Sequence, residues 1–145
     1  MNNFYLPLMS NNIDKKDIKA LTDFLNQDEI PKLTNGPKVV EFENKWGEWL
    51  GTKYNLMVNS GASANELTML ALKYIYGSSK DEIILPPLTW ASDISSVIFS
   101  GFRPVFCDIN PKNLSFDIDK LKQLINPCTK AIFLTHVLGI NGLTD

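Results

Sequence analysis

Four short apolar runs, at residues 54–58, 82–85, 104–107 and 130–135, alternate along the chain with stretches whose apolar residues recur at helical spacing. The helical positions are Leu67, Leu70, Ala71, Tyr74 and Ile75, then Ile94, Val97 and Ile98, then Ile118, Leu121, Leu124 and Ile125. Strand-like and helix-like runs taking turns in this way predict β-α-β units, because parallel strands are joined by a crossover long enough to hold a helix. Gly77, Gly101 and Pro127 stand where the three helices should end. The expected fold is α/β, with a mostly parallel sheet and flanking helices.

Two more helices are expected ahead of this alternation. Asp14 is placed to cap the first, whose apolar face is Ile18, Phe24, Leu21 and Leu25, with Asp17 in the first turn where a negative charge is favoured. It should end near Asn26. A polar, turn-rich connection over residues 28–37 follows, and Pro37 can open a second helix with Val39, Phe42, Trp46, Trp49 and Leu50 on one face. Gly51 is suited to cap its end. No internal repeat, linker or second domain is visible, so residues 1–145 read as one domain unit. The expected sheet breaks off after residue 135, so the chain reads as interrupted, with an edge strand left open.

The turn between the first run and its helix carries the chemistry. Residues 59–65 read Asn-Ser-Gly-Ala-Ser-Ala-Asn, all small. The first N–H groups of a helix have no partner within it, and the aligned peptide dipoles add partial positive charge there. Small side chains let a ligand reach that backbone, so the turn suits a phosphate. Trp90 follows the next run, where open α/β sheets place their ligand-binding loops. Taken singly, small residues at a turn permit close packing, and a tryptophan after Pro86 and Pro87 packs a core. In combination and in this order they suggest a phosphorylated aromatic ring, of which pyridoxal phosphate is one.

Composition removes several alternatives. A net charge of −2, with lysines scattered among acids, provides no basic stripe for nucleic acid. No apolar run approaches the roughly 20 residues of a membrane helix, and Met1, Asn2, Asn3 and Phe4 do not begin a secretory signal, so a cytoplasmic protein without membrane contact is expected. Cys107 and Cys128 lack metal-finger spacing, and one histidine in the chain cannot support a His-rich site, so no metal is expected and both thiols are read as reduced. No G-x-G-x-x-G opens a helix after a strand, which argues against a dinucleotide-binding domain.

An ordered series of motifs is more specific than any one of them. Thr34-Asn35-Gly36-Pro37, Phe42-Glu43, Leu50-Gly51-Thr52-Lys53-Tyr54, the small-residue turn at 59–65 and Pro87-Leu88-Thr89-Trp90 come first. Then come residues 101–108 (GFRPVFCD), Thr129-Lys130-Ala131-Ile132 and His136-Val137-Leu138-Gly139. The series resembles the DegT/DnrJ/StrS family of sugar aminotransferases over nearly the whole chain. The resemblance implies the N-terminal portion of an aspartate-aminotransferase-like large domain (fold type I), a homodimer, pyridoxal 5'-phosphate, and a nucleotide-linked keto-sugar substrate in deoxyamino-sugar or surface polysaccharide biosynthesis. It implies glutamate or a similar amino donor for a transaminase. By the same resemblance the backbone around Gly61, Ala62 and Ser63 holds the cofactor phosphate, Trp90 stacks on the pyridine ring, and Thr34, Asn35 and Gly36 touch substrate or a second subunit.

Two departures qualify the resemblance. The family usually has Ser or Thr after the glycine of this turn, where this chain has Ala62, so Ala62 is expected to contribute its backbone only. The family's carboxylate for the pyridine nitrogen and its Schiff-base lysine come from beyond the equivalent of residue 145, and no lysine here matches that position. The chain alone is therefore expected to hold no catalytic residue and to be inactive. A subgroup resembling deoxysugar 3-dehydratases carries histidine at the lysine position, and Asn59-Ser60-Gly61 and Leu88-Thr89-Trp90 lean slightly that way. A non-catalytic remnant of the fold is the competing reading. His136 and Asp108, each just past an expected strand, are read as structural: the imidazole bonding a neighbouring loop, the carboxylate capping a turn through Asn110 and Pro111.

Overall fold

The computed structural model describes residues 11–78 and 81–142. The expectations for Met1, Asn2, Asn3 and Phe4 and for the last three residues lie outside the described residues. The chain divides into two compact units, one ending at Met57 and one beginning at Val58.

The first unit holds the two expected helices. α1 spans Lys15–Leu25. Asp14 Oδ1 accepts from the amides of Lys16 and Asp17 at 2.7 and 3.0 Å, and Asp17 Oδ2 accepts from the Asp14 amide at 2.8 Å, so three backbone donors are satisfied, two of them reciprocally between Asp14 and Asp17. α2 spans Pro37–Leu50, opened by proline and closed by Gly51 at φ 76°, a left-handed turn that costs glycine nothing. On its apolar face Phe42 stacks on Trp46 with ring centroids 5.9 Å apart, and Trp46 meets Trp49 at 5.0 Å.

Residues 54–58 are not a strand, contrary to the pattern. Extended backbone becomes a strand only when a neighbour takes its N–H and C=O groups, and none is present among the described residues. In the first unit the Met57 amide donates to Glu43 Oε1 at 2.7 Å and Asn55 Oδ1 accepts from the Thr52 hydroxyl at 2.7 Å, while Tyr54 and Leu56 stay exposed.

In the second unit, helix α3 (Gly61–Tyr76) precedes strand β1 (Glu82–Leu85), then α4 (Ala91–Phe99), β2 (Arg103–Phe106), α5 (Ile118–Leu124) and β3 (Thr129–Ile132). The three strands are parallel in the order β2-β1-β3. β1 is buried throughout, and its side chains alternate between two cores. Ile83 packs with Met69 of α3, Val97 of α4 and Phe102, whereas Ile84 packs with Cys107 and Phe116 and is flanked by Leu121 of α5. Both isoleucines are fully buried, each stabilising the unit by roughly 2 kcal/mol. Helices thus cover both faces of the sheet, and every β-to-α loop opens at the same edge.

β2 and β3 both differ from expectation at their ends, β2 running Arg103–Phe106 against the expected 104–107 and β3 Thr129–Ile132 against 130–135. β3 stops at Ile132, not residue 135, because β1 supplies only four residues to pair with; the Phe133 amide makes one last bond to the Ile84 carbonyl at 2.8 Å. Thr135 and His136 therefore fall in the loop, ahead of a 3-10 turn at Val137–Gly139. β2 begins one residue early, at Arg103, whose guanidinium pairs with the buried Glu82 carboxylate.

Candidate functional site

The α3 helix begins at Gly61, inside the stretch read as a turn, so the small residues form its first turn. Ser60 is the cap: its Oγ accepts from the Ser63 amide at 3.1 Å, and the Ala64 amide donates to the Ser60 carbonyl at 3.1 Å. The Ser63 hydroxyl donates to Asn59 Oδ1 at 2.7 Å. Gly61 and Ala62 are different, since their N–H groups have no acceptor among the described residues. A Cβ placed on Gly61 would project into open space, so the backbone there is bare on its outer side. Free amides at a positive helix end, with room in front of them, fit an anionic ester. Ser63, expected to share that task, already has its amide and its hydroxyl engaged.

Trp90 occupies the N-cap position of α4, makes no capping bond, and leaves 71% of its surface exposed. Tryptophan contributes nothing to a helix start that Ser or Asp would not do better. Its indole borders a shallow cavity of about 290 Å³ whose other walls are Leu88 and Thr89 after β1 and residues 135–138 after β3. That is the carboxyl edge of the parallel strands, where ligands of open α/β sheets bind. A larger cavity of about 740 Å³ lies at the opposite edge, around Asp81, Glu82 and Arg103, whose charges already pair among themselves and with Lys130.

A buried carboxylate joins the two halves of the site, and the sequence reading missed it. Asp93 Oδ1 accepts from Asn65 Nδ2 of α3 at 2.7 Å; Oδ2 accepts from the Thr89 hydroxyl and from Thr135 Oγ1 at 3.2 Å. The Thr89 and Thr135 oxygens also lie 2.6 Å from each other, so their two protons are shared among three contacts. The only signal was an acid in the first turn of α4, which reads as ordinary dipole compensation.

His136 and Asp108 make structural bonds. His136 Nδ1 accepts from the Gly142 amide at 3.0 Å and the Ser115 hydroxyl donates to the Gly142 carbonyl at 2.7 Å, so the imidazole clips the loop that follows β3, as expected. Asp108 accepts from Lys120 Nζ at 2.7 Å and from the Ile109 amide at 2.9 Å; Lys120 beside it holds its carboxyl below the usual range. The turn expected of Asp108 is made by Asn110, whose Oδ1 accepts from the Lys112 amide at 2.9 Å. Thr34, Asn35 and Gly36 lie in the first unit at the start of α2. Gly36 is buried there, and a Cβ would meet the Lys32 carbonyl at 2.6 Å, so only glycine fits without a shift. Both cysteines are free, and burial first, then Asp117 and Asp108, push the Cys107 thiol up, away from the reactive thiolate. Among the described residues no cluster of His, Cys, Asp or Glu suits a metal ion, and no helix is long and apolar enough to cross a membrane.

Residues 11–142 match the model of the DegT/DnrJ/EryC1/StrS aminotransferase family. The chain is 35% identical over 137 residues to GDP-4-keto-6-deoxy-D-mannose 3-dehydratase of Yersinia pseudotuberculosis, covering 92% of this chain and 34% of that protein. It is 34% identical over 139 residues to a UDP-4-amino-4-deoxy-L-arabinose--oxoglutarate aminotransferase of Shewanella sediminis, covering 96% and 34%. The solved E. coli GDP-4-keto-6-deoxy-D-mannose-3-dehydratase with bound hydrated PLP superposes with a TM-score of 0.79 at 32% identity, covering 92% of this chain and 34% of that one. Helicobacter pylori PseC, an aminotransferase of pseudoaminic acid biosynthesis, does so at 0.73 and 32%, covering 89% and 33%. The chain thus spans about a third of the length of these relatives. The likenesses bear out the expected fold of the fold type I, aspartate-aminotransferase kind.

Proposed function

The chain belongs to the DegT/DnrJ/EryC1/StrS aminotransferase family, and from that premise we propose that it is the N-terminal part of the cofactor-binding large domain of a pyridoxal-phosphate enzyme acting on a nucleotide-linked keto-sugar. The observation that supports the reading is a pair of unpartnered amides at an open Gly61 and an exposed indole at Trp90, on two helix starts tied together by the Asn65–Asp93 hydrogen bond. Bound there, pyridoxal phosphate supplies an electron sink for substrate carbanions. This chain's own residues bind and orient. The Gly61 and Ala62 N–H groups donate to the phosphate, and Ala62, lacking a hydroxyl, adds nothing from its side chain. Ser63 joins only when its hydroxyl leaves Asn59. Trp90 covers one face of the pyridine ring, orienting it by roughly 0.5–1.5 kcal/mol beyond the area it buries. Thr34 and Asn35 are assigned to the sugar-nucleotide side on family resemblance, with a homodimer and an amino donor such as glutamate. Gly36 is assigned with them on the same resemblance, through its backbone only.

Transamination is the first reading of the reaction. Dehydration at C3 is the second, supported by the dehydratase relatives and by the motif residues around Gly61 and Trp90. In either case the choice between the two reactions rests, by family resemblance, on a lysine or histidine position that matches no residue of this chain.

The test is an equilibrium titration with pyridoxine 5′-phosphate, which lacks the aldehyde and so cannot condense with surface lysines. Saturable binding that pyridoxine without the phosphate does not reproduce, and that Trp90→Ala weakens about three- to tenfold, is expected. Equal affinity for the two probes, or an unaffected Trp90→Ala, contradicts the assignment.

A further inference from the structure

Asp93 is 4% exposed and lies three residues past Trp90, where an acid ordinarily reaches back to the amide of its own helix cap. None of its described bonds does so. Its carboxylate accepts instead from three side chains on three other segments: Asn65 on α3, Thr89 before α4 and Thr135 past β3. A buried carboxylate is tolerated only when its oxygens are satisfied, so the position of each donor is tightly specified.

The ties point at the site. Gly61 and Asn65 are four residues apart on α3 and share one helix face, so holding Asn65 holds the face on which the Gly61 amide opens. Thr89 immediately precedes Trp90, and the Asp93 amide donates to the Trp90 carbonyl at 3.0 Å. One residue thereby fixes the backbone on both sides of the indole and the helix end that carries the free amides.

We infer that Asp93 is a positioning residue that sets the spacing between the phosphate nest at Gly61 and the indole of Trp90, with Asn65, Thr89 and Thr135 acting through it. The inference rests on the reading of this site as one for a phosphorylated pyridine. In such a ligand a short covalent bridge fixes the distance from ring to phosphate, so its two docking points have to be held within about 0.5 Å of the matching separation. A merely structural acid would stabilise the start of α4 without favouring a ligand that spans both points.

The full chain is titrated with pyridoxine 5′-phosphate, which needs nest and indole together, and with inorganic phosphate, which needs the nest alone. Asp93→Ala is expected to weaken the first about tenfold and to leave the second within about twofold. Asp93→Asn keeps an acceptor for Asn65 and lets both hydroxyls rotate to accept, so it restores affinity to within about threefold of the natural chain. Should Asp93→Ala fail to fold by circular dichroism, Asn65→Ala severs the tie on the α3 side and carries the same expectation. Unchanged pyridoxine phosphate binding in the folded variant overturns the inference, as does a parallel loss of both ligands. Failure of the unsubstituted chain to bind pyridoxine phosphate overturns the cofactor reading itself and this inference with it.

Discussion

At Gly61 a missing side chain leaves two donors bare, and the open space in front of it makes a substitution informative. Gly61→Val puts a branched side chain where the phosphate is proposed to sit, yet its Cβ has no neighbour within 4 Å and the position requires no left-handed backbone. Affinity for pyridoxine 5′-phosphate is expected to fall at least about tenfold while the melting temperature moves by no more than a few degrees. Unaltered affinity would remove the nest from the account. Gly61 and Trp90 were legible in the sequence because the residue types themselves are unusual: a run of small side chains at a helix start, and an indole where a capping side chain belongs. Asp93 was not legible, since what distinguishes it is which side chains of α3 and of the β3 loop the fold brings to its oxygens. The engagement of Ser63 by Ser60 and Asn59 was hidden for the same reason.

Among the elements, β1 depends on charged groups at its entry. Burial works to raise the Asp81 carboxyl, but hydrogen bonds from the Ser78 amide and hydroxyl, then Lys130 and Lys73, outweigh it and hold it below its ordinary value. A folded-state pKa below the unfolded one means stability that is fully present above the unfolded value of about 3.9 and is lost as pH falls through the folded one. Stability of the unit is thus expected to decline below about pH 4, and Asp81→Asn, with less to lose, should flatten that acid limb in denaturant titrations. An identical limb in the variant would exclude Asp81 as its source. The positions of α1 and α2 were well read because their caps are local: Asp14, Pro37 and Gly51 act within one turn of where they stand. Strand ends were read less well because a partner sets them. β3 is shorter than its apolar run, and residues 54–58 have the run without a partner.

In the molecule as a whole, apolar surface is distributed unlike that of a self-sufficient domain. Trp49, Tyr74, Phe99 and Leu56 are each at least 74% exposed, and in the first unit neither α1 nor the apolar face of α2 is buried. Large apolar faces of this kind mark surfaces that pack against other protein, consistent with a chain spanning a third of its relatives' length. The sheet of the second unit is nonetheless complete enough to bring the nest, the indole and the Asp93 ties to one edge. The most direct test of that arrangement is a crystal structure of the chain grown with pyridoxine 5′-phosphate. The account predicts phosphate oxygens about 2.9 Å from the amide nitrogens of Gly61 and Ala62, and the pyridine ring against the Trp90 indole with centroids within about 7 Å. A ligand seated instead at the opposite edge, among Asp81, Glu82 and Arg103, or an indole turned away from the bound ring, would contradict it.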